Sequence, residues 1–370
     1  MATFTKASVP LGAKTLPGSY YTSHVTFGQE RDRIFAAHWV CIGREEQLGE
    51  RGDYIVAEVA SESIIVVRDD RGQLRAHFNV CRHRGTRICA DSRGKFGAAI
   101  VCPYHAWTYG LDGRLLAARF MEGTPGFSKS DYALASVALA TWNGFVFVNL
   151  SPSAQKFEEA FAPVLDRFAA WVIGRLRVGR RIDYDLSCNW KLVVQNYSEC
   201  YHCPLIHPAL ERLSSSQSGR NDLLDGAFLG GYMTVRQGGG AMTINGRSAR
   251  PTLGAVAGED LDRAYYYALF PTMLLSLHRD YVMAHYLRPL APDKTQVTCE
   301  WLFDPVTMAA PGFDASDAVE FWDMTNRQDW HVCELSQQGI ASRAYRPGPY
   351  SNQEGLLHAF DRHYLSVMGS

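Results

Sequence analysis

Two short cysteine–histidine pairs stand close together in the first third of the chain: Cys81-Arg82-His83 and Cys102-Pro103-Tyr104-His105, with residues 84–101 between them. Each pair follows a strand-like run, HFNV before Cys81 and AAIV before Cys102, so two neighbouring loops can bring four metal ligands together. A structural zinc site also uses cysteine and histidine at short spacing. Two features oppose zinc. Zinc fingers usually pair cysteine with cysteine and histidine with histidine, whereas here each loop supplies one of each. That mixture is what a cluster with two thiolates on one iron and two imidazoles on the other requires. The aromatic neighbours Tyr104, Trp107 and Tyr109 could also shield a redox centre from water. Cys89, inside the intervening loop, reads as an ordinary thiol.

A second constellation lies in NWKLVVQNYSECYHCPLIHP. A helix from Asn189 to Cys203 would carry Asn196, Glu199 and His202 at steps of three, on one face. His207 follows beyond the break at Pro204. Two histidines and one carboxylate on a metal, with adjacent positions left open, is the arrangement of non-haem Fe(II) oxygenases. The helix expected from Ala315 to Ala341 offers five acids as a third ligand: Asp317, Glu320, Asp323, Asp329 and Glu334. At about 100° per residue, Ala318, Trp322, Thr325, Val332, Cys333, Ser336 and Ile340 fall on the side that packs inward. Asp329 falls within that stripe, while Asp323 and Glu334 point away. A buried carboxylate is costly unless it is paired, for instance with an arginine, or binds a metal. Two histidines lacking a carboxylate favour the metal.

The elements that must position these residues divide the chain in two. An amphipathic helix is expected at Phe27–Trp39, with Thr26 and Gln29 as a capping box. From about Tyr54 to Leu150 short β-rich runs (YIVAEV, SIIVVRD, LRAHFNV, AAIVC, GFVFVNL) alternate with turns such as Asp70-Arg71-Gly72. A helix is expected over 154–173 and a short strand over 181–186. Between Leu229 and Pro305 strand-like runs follow one another without helices, which argues for an antiparallel sheet in an α+β domain. The division reads as an N-terminal helical segment at 1–45 packing on the catalytic domain, an all-β domain at 46–152 and the α+β domain at 153–370. The run at 238–240 reads as a loop.

With 370 residues, 46% of them hydrophobic, there is enough chain for two cores, and disorder, collagen and coiled coil are excluded. Lys plus Arg (37) and Asp plus Glu (38) leave a formal charge of -1, so no global field would hold the chain on nucleic acid or a membrane. No apolar run reaches the length of a membrane span, and the opening residues lack the apolar core of a secretory signal. The expectation is a soluble, cytoplasmic protein whose nine cysteines are reduced thiols or metal ligands.

The stretch NVCRHRGTRIC…CPYHAWTYGLDGRL resembles the Rieske domain of the Rieske non-haem iron oxygenases, and the order of the remaining elements resembles their α subunits over nearly the whole chain. The resemblance implies a 2Fe-2S cluster with Cys81 and Cys102 on one iron and His83 and His105 on the other, and a catalytic domain of helix-grip type. It makes His202 and His207 ligands of a mononuclear Fe(II), with Glu199 a bridging carboxylate, and NRQDWHVCELSQQG points to Asp329 as the third ligand. O2 is the co-substrate. Because no nucleotide-binding glycine motif is evident, electrons must come from a separate NAD(P)H-dependent flavin and iron-sulfur reductase. A homotrimer is implied, in which Glu199 links His105 across the interface to His202. YYTS, NVCRHRG, the NYSECYHCPLIHP segment and SRAYRPGPYS look like the branch that hydroxylates or N-demethylates small quaternary ammonium compounds. Tyr265, Tyr266, Tyr267, Phe270, Trp301 and Phe303 are available for cation–π contact. The alternative is an oxygenase or demethylase of an aromatic substrate.

Overall fold

A computed structural model describes residues 3–236 and 240–369; of the run read as a loop at 238–240, Gly238 and Gly239 lie outside the described residues. The chain forms two compact units, Arg31–Ala160 and the union of Met1–Glu30 with Phe161–Ser370.

The first unit is built from small antiparallel sheets. Its strand Glu62–Arg68 shows how alternation organises it. Ile65 and Val67 face a core that contains Cys81, Cys102, Trp107 and Tyr109, while Ile64 and Val66 face a second core with Val146 and Val148. A strand buried on both faces thus backs the two cysteine-bearing loops.

In the second unit a seven-stranded antiparallel sheet comprises β1 (Arg177–Leu186), β2 (Arg220–Asp225), β3 (Phe228–Thr234), β4 (Arg263–Leu269), β5 (Met273–Leu277), β6 (Val282–Ala291) and β7 (Lys294–Phe303). The order is β1-β7-β6-β5-β4-β3-β2, a meander closed by β1. Helices α1 (Trp190–Tyr197), α2 (Cys203–Ile206), α3 (Pro208–Leu213), α4 (Ser316–Ile340) and α5 (Gly355–Met368) complete it. None of the described helices is long and apolar enough to cross a membrane. The structure is the α+β architecture expected, with an antiparallel sheet in the catalytic unit.

Three helices differ from expectation. The opening helix starts at His24, where the Ser23 hydroxyl accepts from the Thr26 amide, and its last turn widens into a π-helix ending at Phe35. The 154–173 segment is helical only at Phe157–Ala160 and in short 3₁₀ turns, because Pro163 cannot donate in a helix interior. The helix expected to reach Cys203 stops at Tyr197, for a reason that belongs to the site below.

Helix α1 is anchored from behind by a buried ion pair. Lys191 and Glu30 are fully buried, with Lys191 Nζ 2.5 Å from Glu30 Oε1. Trp190 Nε1 (3.0 Å) and the Tyr364 hydroxyl (2.6 Å) donate to the same carboxylate. Lys191→Met should therefore strand a buried anion and destabilise the unit by about 3–5 kcal/mol. Adding Glu30→Gln should recover part of that loss. Denaturant unfolding of the single and double variants checks both results; equal losses would mean the pair's charge is immaterial.

Candidate metal centres

The two cysteine-bearing loops share one backbone design. In the first, the Cys81 amide donates to the Thr86 carbonyl and the Gly85 amide donates to the Cys81 carbonyl. In the second, the Cys102 amide donates to the Trp107 carbonyl and the Ala106 amide to the Cys102 carbonyl. The fourth residue after each cysteine is left-handed, at φ +73° for Gly85 and +55° for Ala106. Glycine takes this conformation freely, whereas alanine is strained there by about 1–2 kcal/mol.

This design sends the sulfurs inward and the imidazoles outward. Cys81 and Cys102 are buried, His83 is exposed and His105 half-buried, with the two rings 4.7 Å apart. His83 stacks on Trp107 at 4.8 Å and 7°, and the Tyr109 hydroxyl lies 3.2 Å from Cys81 Sγ. Two buried sulfurs and two accessible imidazoles from opposed loops fit the mixed donor set of a Rieske cluster, with its histidine edge toward solvent. Cys89 is also buried, but burial pushes its thiol up to about 11, and it stays protonated, as an ordinary thiol should. Cys102→Ser is expected to abolish the red-brown colour and acid-labile sulfide of the purified protein. Colourless wild-type protein carrying zinc and no sulfide would refute the cluster.

In the second unit α1 ends because Glu199 captures the chain. Its Oε2 accepts from the amides of Tyr201 and His202, and the Ser198 hydroxyl bonds back to the Val194 carbonyl. Pro204 then opens α2, with His202 as its N-cap, and His207 occupies the same position before α3. Both histidines therefore project from helix junctions instead of from one helix face.

Helix α4 supplies the carboxylate. Its buried residues include Ala318, Phe321, Trp322, Thr325, Asn326, Trp330 and Cys333, and Asp329 lies within this inward stripe. Asp329 Oδ1 is 2.7 Å from His207 Nε2 and 3.2 Å from His202 Nε2, and ligand atoms of all three lie within 4.8 Å of one another. Asp323 bonds instead to the Tyr184 hydroxyl (2.7 Å) and Arg327 (2.9 Å), while Glu334 accepts from the Ser187 amide (2.9 Å). The far nitrogen of each imidazole is occupied: His202 Nδ1 faces Glu199 Oε1 at 2.6 Å, and His207 Nδ1 faces Gln328 Oε1 at 2.8 Å. Acceptors at Nδ1 fix the tautomer that leaves Nε2 free for a metal, and such partners orient ligand rings. Burial disfavours a charged His202, but the Asp329 and Glu199 carboxylates overcome it and lift the group to about 10. The same two imidazoles hold Asp329 below its ordinary value despite burial. A proton shared among three converging groups marks a place that a cation would take.

A cavity of about 170 Å³ opens over this triad, lined deep down by Tyr197, Tyr266, Met283, His285 and Trp322. The Tyr266 ring lies 6.2 Å from Tyr197 and 6.1 Å from Trp322, both edge-on. Tyr197 is tied to the sheet by a 2.8 Å contact between its hydroxyl and Ser276 Oγ. Of the six aromatics available in the sequence, only Tyr266 reaches the cavity. Tyr265 and Tyr267 point to the other face of β4, where their hydroxyls bond to Asp260 and Asp222. Phe270, Trp301 and Phe303 are buried elsewhere. Trp322 lies seven residues before Asp329 on α4, about two helical turns away, and Gln328 adjoins Asp329. Helical spacing from Asp329 is the signal for these two, whereas Tyr197, at the end of α1, has none.

The cysteines also depart from expectation. Seven are free and buried, but Cys200 and Cys203 are disulfide-bonded around His202, with Cα atoms 4.9 Å apart. The helix break at Tyr197 folds this C-x-x-C segment tightly enough for the two to meet.

The triad, the cavity and the paired loops define an iron-dependent oxygenase, and comparison with known proteins places the chain in its family. It belongs to the ring-hydroxylating α subunits: the catalytic-domain model of that family matches residues 173–370, and the Rieske [2Fe-2S] domain model matches residues 38–128. The chain is an oxidoreductase of the Rieske non-haem iron monooxygenase type, with a 2Fe-2S domain and a mononuclear-iron catalytic domain. It is 32% identical to the glycine betaine monooxygenase oxygenase subunit of Chromohalobacter salexigens, covering 92% of this chain and 82% of that one. The carnitine monooxygenase oxygenase subunit of Escherichia coli K12 is 30% identical, covering 91% and 87%. Among solved structures, the quaternary ammonium Rieske monooxygenase CntA in complex with L-carnitine superposes with a TM-score of 0.78 at 25% identity, covering 97% of this chain and 96% of that one. Naphthalene 1,2-dioxygenase from Rhodococcus shares the fold, with a TM-score of 0.78 at 20% identity over 96% and 94%.

Proposed function

We propose that this chain is the terminal oxygenase that hydroxylates or N-demethylates a small quaternary ammonium compound. Cys81, His83, Cys102 and His105 hold the cluster in this reading, and His202, His207 and Asp329 hold the iron. The observation that carries the substrate class is the composition of the deep cavity. Tyr197, Tyr266 and Trp322 line it beside Asp329 and Glu199, and none of these neighbours among the described residues is a lysine or arginine. Such walls attract a cation desolvated from water. The alternative, an aromatic substrate, would make no use of the cation–π attraction that these rings offer.

When bound, the mononuclear iron supplies O2 activation and the cluster supplies electrons. The residues of the chain do the rest. The aromatic walls orient one N-methyl or adjacent carbon toward Asp329 and exclude water. Gln328 and Glu199 hold the two imidazoles in their ligating tautomer. Attack on an N-methyl group balances as R₃N⁺–CH₃ + O2 + 2 e⁻ + 2 H⁺ → R₃NH⁺ + HCHO + H2O. The electrons come from a separate NAD(P)H-dependent flavin and iron-sulfur reductase. The subunits form a homotrimer in which Glu199 links His202 to His105 of a neighbouring copy. The relatives named above act on glycine betaine and carnitine, which supports the same class here. Oxidation products measured over a panel of quaternary amines and aromatic acids, with a reductase supplied, test the assignment. Turnover confined to the ammonium compounds is expected; turnover confined to the aromatic acids would transfer it to the alternative.

A further inference from the structure

The cavity is charged unevenly from end to end. Its floor carries the carboxylates of Glu199 and Asp329, both engaged around His202. The cavity is also lined by Ser216, Gln217, Asn221, Asn352 and Gln353, which are polar and uncharged, and of these Gln217, Asn352 and Gln353 are exposed. Among the described lining residues one lysine or arginine is present, and it is Lys6. The chain on either side of Lys6 is firmly seated. Thr5 exchanges backbone hydrogen bonds of 2.8 and 2.7 Å with Asn221 at the edge strand β2. Ala7 packs so closely on the start of α5 that a Cβ added to Gly355 would stand 2.6 Å from it. The Lys6 side chain is exposed and has no ion-pair partner among the described residues. An exposed cation thus borders a cavity that Tyr197, Tyr266 and Trp322 also line.

We infer that Lys6 is a specificity-determining residue that receives the carboxylate of a zwitterionic substrate, so that the cavity selects a betaine over a purely cationic compound such as choline. This rests on the quaternary ammonium reading above and adds the second charge of the substrate to it. The selection has an attractive and a repulsive part: Lys6 attracts the carboxylate of a correctly aligned zwitterion and repels a trimethylammonium group that lodges at the mouth. Because Lys6 is exposed, solvent and salt screen both parts, and the discrimination is moderate.

The test uses the full oxygenase with its metals and a reductase, and a series of trimethylammonium carboxylates with one to three methylenes between the charges, set against choline. In the wild type the best betaine should exceed choline in kcat/KM. In Lys6→Ala the betaine-to-choline ratio should fall about tenfold, the scale of one hydrogen bond to a charged group. Lys6→Glu should lower it further, and Lys6→Arg should keep it near the wild-type value. Higher salt should reduce the ratio in the wild type and not in Lys6→Ala. A ratio unchanged in both Lys6→Ala and Lys6→Glu would overturn the inference while leaving the quaternary ammonium reading intact. Equal loss on betaine and choline would overturn it too, since that is what a merely structural lysine would do. Wild-type protein that oxidises neither betaines nor choline would sink both readings together.

Discussion

Asp329→Ala is expected to empty the mononuclear iron site and take product formation to background, while the colour and sulfide of the cluster, carried in the other unit, survive. Asp329 Oδ1 is the atom on which both His202 and His207 converge, so under the proposed assignment the substitution removes one of three ligands. His202→Ala and His207→Ala should behave alike. Asp323→Ala is the control: six residues earlier on the same helix, it serves the Tyr184 hydroxyl and Arg327, and its loss should leave iron content and turnover near wild type. Metal analysis beside visible absorption separates the two centres. Iron lost from Asp323→Ala and retained in Asp329→Ala would reverse the assignment.

Glu199→Gln should give a different phenotype: both metals present, the cluster reduced at a near-normal rate, and turnover slowed by about 10–100-fold. Glu199 is not one of the three groups that converge at Asp329, so iron should stay. Its Oε1 accepts from His202 Nδ1 and its Oε2 accepts from two backbone amides. Glutamine keeps one acceptor oxygen and puts a donor where the other stood, so one of these two contacts is lost and the negative charge with it. If Glu199 couples the centres as proposed, the slow step is transfer between them. Loss of iron from the variant, or normal transfer, would leave the bridging role without support.

Much of this site could be read along the chain because its ligands lie at short spacing. Cys81 to His83 and Cys102 to His105 each sit within one turn-forming loop, and the mixed pairing alone pointed to a mixed donor set. Helical phase points to Asp329 because α4 is long and packed on one side: Ala318, Trp322, Thr325 and Cys333 of the expected stripe are buried, while Val332, Ser336 and Ile340 are only half-buried and Phe321, Asn326, Trp330 and Gln337 are buried in addition. The same reasoning failed on the Asn189–Cys203 segment. Glu199 uses its side chain to take up backbone amides that a continuing helix would need, and periodicity carries no sign of such capture. The cavity walls were harder still. Of the run Tyr265-Tyr266-Tyr267, alternation says that one face differs from the other, but not which face meets the site. Only the pairing of β4 with its neighbours decides that Tyr266 does. Tyr197, at the end of α1, is brought in by tertiary packing. Lys6 arrives from the far end of the chain through its neighbour's pairing with Asn221, a contact across more than two hundred residues that has no local signature.

In the proposed reaction, electrons held in the protein's Rieske cluster are spent on a quaternary ammonium substrate at His202, His207 and Asp329. A single-turnover experiment tests it most directly. The protein is reduced in full, freed of reductant and reductase, and mixed with O2 and a trimethylammonium carboxylate, and products are followed together with the visible spectrum of the cluster. Oxidised substrate, as formaldehyde or a hydroxylated or C–N-cleaved product, is expected to form in step with reoxidation of the cluster, and to be absent from Asp329→Ala. Reoxidation of the cluster with no oxidised substrate from any ammonium compound, or undiminished product from Asp329→Ala, would contradict it.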